Sequence, residues 1–217
     1  MSSNKSNPSS NPTSSARQEL LAIIARQSFR LGQFKLSSGG TSDYYIDCRT
    51  TTLHAEGARL TGRVFFDEIV HRGWNPQAIG GLTMGADPIV VAVAMLSAQT
   101  FQWRVEDDDK ALVHALIHGF LVRKAEKAHG TGQRIEGFRE KGARVVIVDD
   151  VCTTGASTVQ AIAAAREYGF EVVGVMCLVE REESNGRPAV EEAAGGVPFV
   201  SLYTAKEVRA EHIRQNA

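Results

Sequence analysis

The sequence predicts an α/β protein with a doubly wound, mostly parallel sheet that carries helices on both faces. Two runs, 145–148 and 172–179, are almost continuously apolar, which is typical of strands buried on both sides in a parallel sheet. Segments of helical periodicity alternate with these and other short apolar runs, and such alternation indicates a doubly wound fold. The length of 217 residues suits one domain.

The first helix and a small flap precede the sheet. A capping-box pattern at Ser15–Gln18 opens a helix whose apolar residues recur as far as Leu31, and Gly32 is placed to end it. Two β-prone runs, 34–36 and 44–47, then surround a Ser/Gly cluster, which predicts a hairpin or flap.

The remaining elements alternate between helix and strand. Helical spacing or capping signals predict further helices at 55–72, 88–96, 156–168 and after a second capping box at Thr204–Glu207. Short apolar runs predict strands at 78–81, 117–122, 144–148, 172–179 and 199–203.

The composition is that of an ordinary folded domain. The chain contains 24 Lys and Arg against 25 Asp and Glu, a net charge of −1, so no basic excess exists to coat a nucleic acid. No apolar run reaches the ~18 residues that span a bilayer. Three cysteines without a CxxC pair argue against a disulfide framework and a zinc ribbon. We therefore expect a cytoplasmic protein that binds neither nucleic acid nor membrane.

The N-terminal segment differs from the rest of the chain. Residues 1–16 hold seven Ser, three Asn and two Pro and lack Leu, Ile, Val and Phe. They cannot bury enough apolar surface to offset their ordering entropy, and they lack the apolar region of a signal peptide. The sequence therefore predicts a disordered tail over 1–16 and a single domain over 17–217.

One predicted strand ends in two carboxylates and a loop of small residues. Asp149 and Asp150 follow the apolar run 145–148, and Thr153 to Ser157 open the next helix. Ligands of open α/β sheets sit at the carboxyl ends of strands, and helix N-termini bind phosphate. Because carboxylates suit sugar hydroxyls, the segment predicts a site for a phosphorylated sugar. The alternatives are a plain helix cap or a Walker B strand, which lacks its Walker A partner here.

The run Val146–Gly155 resembles the phosphoribosyl pyrophosphate (PRPP) motif of the type I phosphoribosyltransferases, in which an apolar strand, two acidic residues and Thr-x-Gly follow one another. The resemblance implies the type I phosphoribosyltransferase fold and a PRPP loop over 149–158. The PRPP-binding residues that it implies in this loop are Asp149, Asp150, Val151, Cys152, Thr153, Thr154, Gly155, Ala156 and Ser157.

A second segment concentrates positive charge. Arg123, Lys124, Lys127 and His129 follow the strand at 117–122 and lead into a glycine-rich stretch. Such cations stabilise the charge that develops on a departing pyrophosphate, and the glycines would allow closure over the site. A solvated, charged surface segment is the alternative that composition alone favours.

The pattern Arg-Lys-x-x-Lys-x-His-Gly at 123–130 is similar to the flexible catalytic loop of the orotate phosphoribosyltransferases. The resemblance implies a flexible loop over 123–137 that grips the pyrophosphate of PRPP. It also implies a homodimer with shared active sites, in which Arg123, Lys127 and His129 reach the site of the partner subunit. The catalytic residues that the resemblance implies are Lys127, His129, Asp149 and Asp150.

Three further stretches resemble the orotate enzymes: 36–49 the flap over the base, 80–88 the loop on the pyrophosphate side, and 180–182 a strand end. Arg181 and Thr153 match the residues that bind orotate there, and an arginine pairs with a carboxylate bidentately. The resemblance implies transfer of the ribose 5-phosphate of PRPP to N1 of orotate. The products would be orotidine 5′-phosphate and pyrophosphate, within pyrimidine biosynthesis. It also implies Mg²⁺, held mainly through PRPP with no direct protein ligand assigned.

The chain departs from these relatives at three places. Some of them carry Lys where Ser37 and Met84 stand, and Lys35 lies roughly 7 Å along an extended run from Ser37, so it is not expected to replace that residue. Residues 98–116 look like an insertion, in which 107–110 are expected to form an exposed turn rather than a metal site.

Two other functions stay open. One is transfer to a purine or to uracil, against which the basic loop argues. The other is a non-catalytic PRPP-sensing regulator, which would need a nucleic-acid face that the charge balance does not support.

Overall fold

The structure is a computed structural model that describes residues 12–35, 40–106, 116–124 and 134–217, with the backbone alone for 12–14 and 102–106. Several of the predicted features lie outside these ranges: the tail as far as residue 11, Ser37, the turn at 107–110, Lys127 and His129.

The described chain alternates between helices and strands, as predicted. Its α-helices are α1 (Pro12–Gln27), α2 (Arg49–Thr52), α3 (Ala55–His71), α4 (Asp87–Glu106), α5 (Ala156–Tyr168), α6 (Arg187–Ala194) and α7 (Ala205–Gln215). Its strands are β1 (Phe29–Lys35), β2 (Thr41–Ile46), β3 (Ala78–Leu82), β4 (His118–Val122), β5 (Ile135–Gly137), β6 (Arg144–Cys152), β7 (Glu171–Glu180) and β8 (Phe199–Thr204).

The larger sheet has the strand order β5-β4-β3-β6-β7-β8. Each pair of neighbours from β4 to β8 is parallel, whereas β5 is an antiparallel edge strand beside β4. Consecutive residues of the central strands face opposite cores. Val146 and Val148 pack with α1, α3, α4 and α7, whereas Val145 and Ile147 pack with α5 and α6. The predicted doubly wound sheet with helices on both faces is confirmed, and burial on both sides explains the continuous apolar runs.

The first helix differs from its prediction at both ends. It begins at Pro12, so residues 12–16 are helical rather than part of the tail, and Ser15 Oγ donates to Glu19 Oε1 at 2.7 Å inside the helix. It ends at Gln27, and the segment predicted to continue it as far as Leu31 belongs to β1. The reason is tertiary. Phe29 is buried and stacks on Tyr44 of β2 with 5.3 Å between ring centroids. The antiparallel β1–β2 hairpin forms the predicted flap.

The helix that was predicted to end at Leu96 continues to Glu106. Residues 98–106 of the predicted insertion therefore extend α4. Ser97 Oγ accepts a hydrogen bond from the backbone N–H of Ile117 at 3.1 Å, which joins α4 to the residue before β4.

The second capping box is confirmed: Thr204 Oγ1 accepts from the backbone N–H of Glu207 at 3.2 Å, and Glu207 Oε2 accepts from that of Thr204 at 2.7 Å. Among the helices described, none combines the length and apolar character needed to cross a membrane.

Candidate active site

A cleft of about 480 Å³ opens where β3, β4, β6 and β7 end. This is the edge of the sheet at which the sequence placed the ligand. Residues of the flap and of four strand ends line it: Lys35, Tyr45, Ile46, Asp47, Arg49, Leu82, Thr83, Met84, Gly85, Lys124, Asp149, Asp150, Val151, Thr153, Ser157 and Arg181.

The acidic pair forms one wall of the cleft. Asp149 is only 6% exposed; its Oδ2 accepts from Thr158 Oγ1 at 2.8 Å and its Oδ1 from the backbone N–H of Asp150 at 3.0 Å. Asp150 Oδ1 accepts from the N–H of Val151 at 2.9 Å. A Cβ atom at Gly85 would lie 2.3 Å from that oxygen, so only glycine lets the β3–α4 loop approach the carboxylate so closely.

Burial dominates the electrostatics of the pair. It raises the pKa of Asp149 to about 7, and the neighbouring charge of Asp150 acts in the same direction. Burial also raises the pKa of Asp150, while the Arg49 guanidinium acts against that rise. Burying two carboxylates therefore costs free energy. A ligand with hydroxyl groups or developing positive charge would reduce that cost.

We expect Asp149→Asn to stabilise the fold, and more at pH 8 than at pH 5. The pKa of an aspartate in an unfolded chain is about 3.9. Because folding raises it, the associated stability is full below that value and is lost as pH rises toward about 7. The amide does not titrate, so the gain at pH 8 should be roughly 2–4 kcal/mol. Urea denaturation at both pH values measures it, with Asp43→Asn as an exposed control; an equal gain at the two pH values would contradict the burial argument.

The loop after the acidic pair is packed tightly on α6. A Cβ atom at Gly186 would lie 2.0 Å from the carbonyl oxygen of Thr153, and Gly155 has a left-handed φ of 77° directly before α5. The first N–H groups of a helix have no intrahelical partner, so the start of α5 suits a phosphate. Thr153 and Ser157 line the cleft there.

Not every residue of the predicted PRPP loop turns a side chain to the cleft. Thr154, Gly155 and Ala156 are absent from its described lining, and Cys152 is 1% exposed within the core beside α5 and α6. Any ligand contact from Cys152 is therefore a backbone contact.

Arg181 is buried beneath the flap, directly after β7. Its Nε donates to Tyr44 Oη at 3.0 Å, its Nη2 donates to Ser42 Oγ at 3.1 Å, and Nη2 lies 3.0 Å from Glu183 Oε1. The guanidinium also sits over the Tyr44 ring, 4.4 Å from the centroid. Tyr44 Oη donates to Glu183, and burial followed by that bond raises the tyrosine pKa to about 12. Among the described residues, Nη1 of Arg181 has no hydrogen-bond partner, so this end can receive a carboxylate.

The described part of the basic loop is anchored at both ends. The backbone N–H of Arg123 donates to the carbonyl of Arg134 at 2.9 Å, so the chain leaves and re-enters the sheet at neighbouring positions. Lys124 lines the cleft, whereas Arg123 lies 3.5 Å from Glu136 and is not part of the lining.

Sequence reasoning missed the flap cations. Arg49 lines the cleft in a fork with Asp47, and Lys35, which was not expected to replace Ser37, lines it as well. Both side chains reach the cleft because the flap folds over the sheet. The Asp-x-Arg spacing after β2 was the feature of the sequence that could have indicated Arg49. Met84 lines the cleft with a side chain that is 65% exposed.

The fold and the acidic pair define the class. Residues 116–192 match the family described as the phosphoribosyl transferase domain, and the parallel sheet with two carboxylates at a strand end is the type I phosphoribosyltransferase architecture. The chain is 40% identical over 195 residues to the orotate phosphoribosyltransferase of Aquifex aeolicus, covering 88% of this chain and 97% of the relative. It is 43% identical over 192 residues to that of Streptomyces avermitilis, covering 88% and 96%.

Solved structures agree. Orotate phosphoribosyltransferase of Mycobacterium tuberculosis in complex with Fe(III) dicitrate matches with a TM-score of 0.70 and 36% identity, over 89% of this chain and 98% of that one. The same enzyme in complex with PRPP matches with a TM-score of 0.65 and 29% identity, over 89% and 92%. The chain belongs to the orotate phosphoribosyltransferase family, whose enzymes act in pyrimidine biosynthesis.

Proposed function

We propose that this cleft transfers the ribose 5-phosphate of PRPP to N1 of orotate. The observation that carries the proposal is the set of groups that line one cleft. Ser157 at the start of α5, the pair Asp149–Asp150, and Arg181 beneath the flap all contribute to its lining. These groups suit a phosphate, ribose hydroxyls and a carboxylate, which are the parts of the two substrates. A relative solved with PRPP supports the assignment of the first substrate.

The roles of the residues follow from this placement. Thr153, Ser157 and the start of α5 seat the 5′-phosphate, with the backbone from Val151 to Ala156 wrapped around it. Asp149 and Asp150 hold the ribose hydroxyls. As the bond between the anomeric carbon and pyrophosphate oxygen breaks, positive charge grows on the sugar, and the two carboxylates stabilise it. The bond from orotate N1 to the same carbon then forms while the N1 proton leaves and is taken up by the released pyrophosphate, with the base placed by Thr153 and Arg181.

Arg123, Lys124, Lys127 and His129 are proposed to grip the pyrophosphate in a loop over 123–137 that folds as part of the 17–217 domain. Lys124 in the cleft supports this assignment. Closure of such a loop excludes water from a sugar cation that water would otherwise attack.

We further propose a homodimer in which Arg123, Lys127 and His129 serve the partner's site. Four large apolar side chains beside the cleft support it: Leu53, Met84, Val91 and Met95 are 72%, 65%, 55% and 59% exposed. Leu53 and Met84 line a depression of about 490 Å³ next to the cleft, and Val91 and Met95 continue the patch along α4. Apolar patches of this kind mark protein interfaces. The three cysteines are free and buried, which supports the proposed cytoplasmic location.

The residues of the cleft fit Mg²⁺ that enters with PRPP. Within the described ranges, no cluster of three or more His, Cys, Asp or Glu could hold a metal, while Asp149 and Asp150 offer hard oxygen donors beside the proposed ribose. When bound, the ion would neutralise charge on the diphosphate and favour its departure.

The direct test mixes the protein with PRPP, Mg²⁺ and orotate and follows the loss of orotate absorbance. Turnover with orotate supports the proposal. Turnover with hypoxanthine or uracil but not with orotate would overturn it, and binding of PRPP without any turnover would favour the sensing regulator.

We expect Arg181→Lys to raise the KM for orotate by about 10–100-fold, because a lysine cannot keep the bonds to Tyr44, Ser42 and Glu183 and also donate to a carboxylate from a second nitrogen. A charge-assisted bond of this kind contributes roughly 1.5–3 kcal/mol. The KM for PRPP should change little. Steady-state kinetics with each substrate varied in turn measures both constants, and Arg209→Lys, an exposed arginine paired with Asp43 at 2.7 Å, is the control. Equal changes in both KM values would remove Arg181 from base recognition.

A further inference from the structure

The roles proposed for the cleft residues leave one wall without a part of the substrates assigned to it. The start of α5 takes the 5′-phosphate and Asp149–Asp150 take the ribose hydroxyls, so the diphosphate must extend from the sugar toward another wall. Arg181 is proposed to bind the base. The remaining wall is built by the β3–α4 loop, with Met84 and Gly85, and by Arg49 at the start of α2.

Arg49 is the cation of this wall whose position is set by the fold. Its Nε donates to Asp47 Oδ1 at 2.9 Å, its Nη2 donates to Asp47 Oδ2 at 2.8 Å, and its backbone N–H donates to Oδ1 at 3.1 Å. These bonds hold the pKa of Asp47 below its usual range. Two parallel bonds fix the plane of a guanidinium. They leave Nη1 available as a donor, since it has no partner among the described residues.

The other cations around the cleft are held differently. Lys35 and Lys124 line it, and neither has an ion pair within the described part of the chain. Arg181 is bound to Ser42, Tyr44 and Glu183 beneath the flap. Arg49 lines the same cleft as the acidic pair, and its charge acts to lower the pKa of Asp150.

We propose that Arg49 binds the diphosphate of PRPP, and the pyrophosphate released from it, through the free end of its guanidinium, and that Asp47 is the positioning residue that orients it. This inference rests on the proposed function. It adds a cation supplied by the subunit that holds Asp149 and Asp150, in contrast to the loop cations proposed to come from the partner. A planar donor that is already oriented binds phosphate with a smaller loss of rotamer entropy than a lysine does.

The test compares binding of PRPP and pyrophosphate with binding of orotate. Isothermal titration calorimetry with PRPP in the presence of Mg²⁺ should show a Kd at least 10-fold higher for Arg49→Gln than for wild type. The inhibition constant of pyrophosphate should rise by a similar factor, while the KM for orotate stays within twofold. Arg49→Lys should lie between the two, because it keeps the charge and loses the fork. Asp47→Asn should weaken PRPP binding less than Arg49→Gln does.

Matched controls exist on α3, where Arg59 forms the same kind of fork with Glu56 at 2.9 and 2.6 Å outside the cleft. Arg59→Gln and Glu56→Gln should leave all three constants unchanged. Unchanged PRPP and pyrophosphate affinities in both Arg49 variants, or an equal rise in the KM for orotate, would overturn the proposal. If wild type fails to turn over orotate, the proposed function fails, and calorimetry with PRPP still decides the role of Arg49. Circular dichroism spectra confirm folding, and Arg49→Lys carries the test should Arg49→Gln not fold.

Discussion

Asp149→Asn is expected to lower kcat by about 10²–10³-fold, the usual loss when one preorganised electrostatic group is removed from a transition state. The same variant is expected to be more stable at pH 8, because burial holds the pKa of Asp149 far above that of an exposed carboxylate. A loss of activity together with a gain in stability would show that this carboxylate is kept for chemistry at the expense of the fold.

The measurement is the initial rate with both substrates saturating, followed at pH 8, where the carboxylate is charged. Asp43→Asn, whose carboxylate lies on the flap and pairs with Arg209, serves as the control and should keep wild-type kcat. A kcat for Asp149→Asn within tenfold of wild type would remove Asp149 from the reaction.

Lys127→Ala is expected to lower kcat by about 10²–10³-fold and to change the KM for orotate far less, because the loop is proposed to act on the leaving pyrophosphate. Mixing inactive Lys127→Ala with inactive Asp149→Ala should then restore activity if the active site is shared. Half of the randomly formed dimers are hybrids, and each hybrid holds one intact site, so roughly a quarter of wild-type activity should return.

A second mixture provides the matched control. Arg123→Ala and Lys127→Ala alter the same loop, so neither site of their hybrid dimer is intact and no activity should return. Failure of the first mixture, with subunit exchange demonstrated by a tagged chain, would contradict the shared site. Rescue in the second mixture would contradict the proposal that both residues act in the partner's site.

Much of the fold could be predicted because its signals are local. The residues that signal each of these elements lie close together in the sequence. This holds for the apolar runs of β6 and β7 and for the capping box before α7, and each appears in the structure. The predictions that differ from the structure lie where packing against residues far along the chain determines the local conformation. Phe29 extends as a strand because its ring packs on Tyr44 and His212, which no local period of residues 20–31 indicates. The elements β5, with three residues, and α6, with eight, are too short for a periodic signal.

The same distinction between local signals and distant contacts explains which residues of the candidate site could be predicted. Asp149 and Asp150 stand together in a recognisable segment, and their carboxylates do line the cleft. Arg49 and Lys35 enter the site only because the flap folds over the strand ends. One bond that holds it there joins Tyr44 and Arg181, 137 positions apart in the chain. Spacing along the sequence does not contain that information.

Gly85 shows that a position without a functional group can be under the same constraint as a catalytic carboxylate. The space that a side chain would occupy there is filled by the oxygen of Asp150, at 2.3 Å from the position of a Cβ atom. The restriction is one of volume, since an added carbon would displace either the loop or the carboxylate. The position of the Asp150 carboxylate therefore depends on the absence of a side chain at residue 85, and a substitution at Gly85 is expected to disturb the acidic pair.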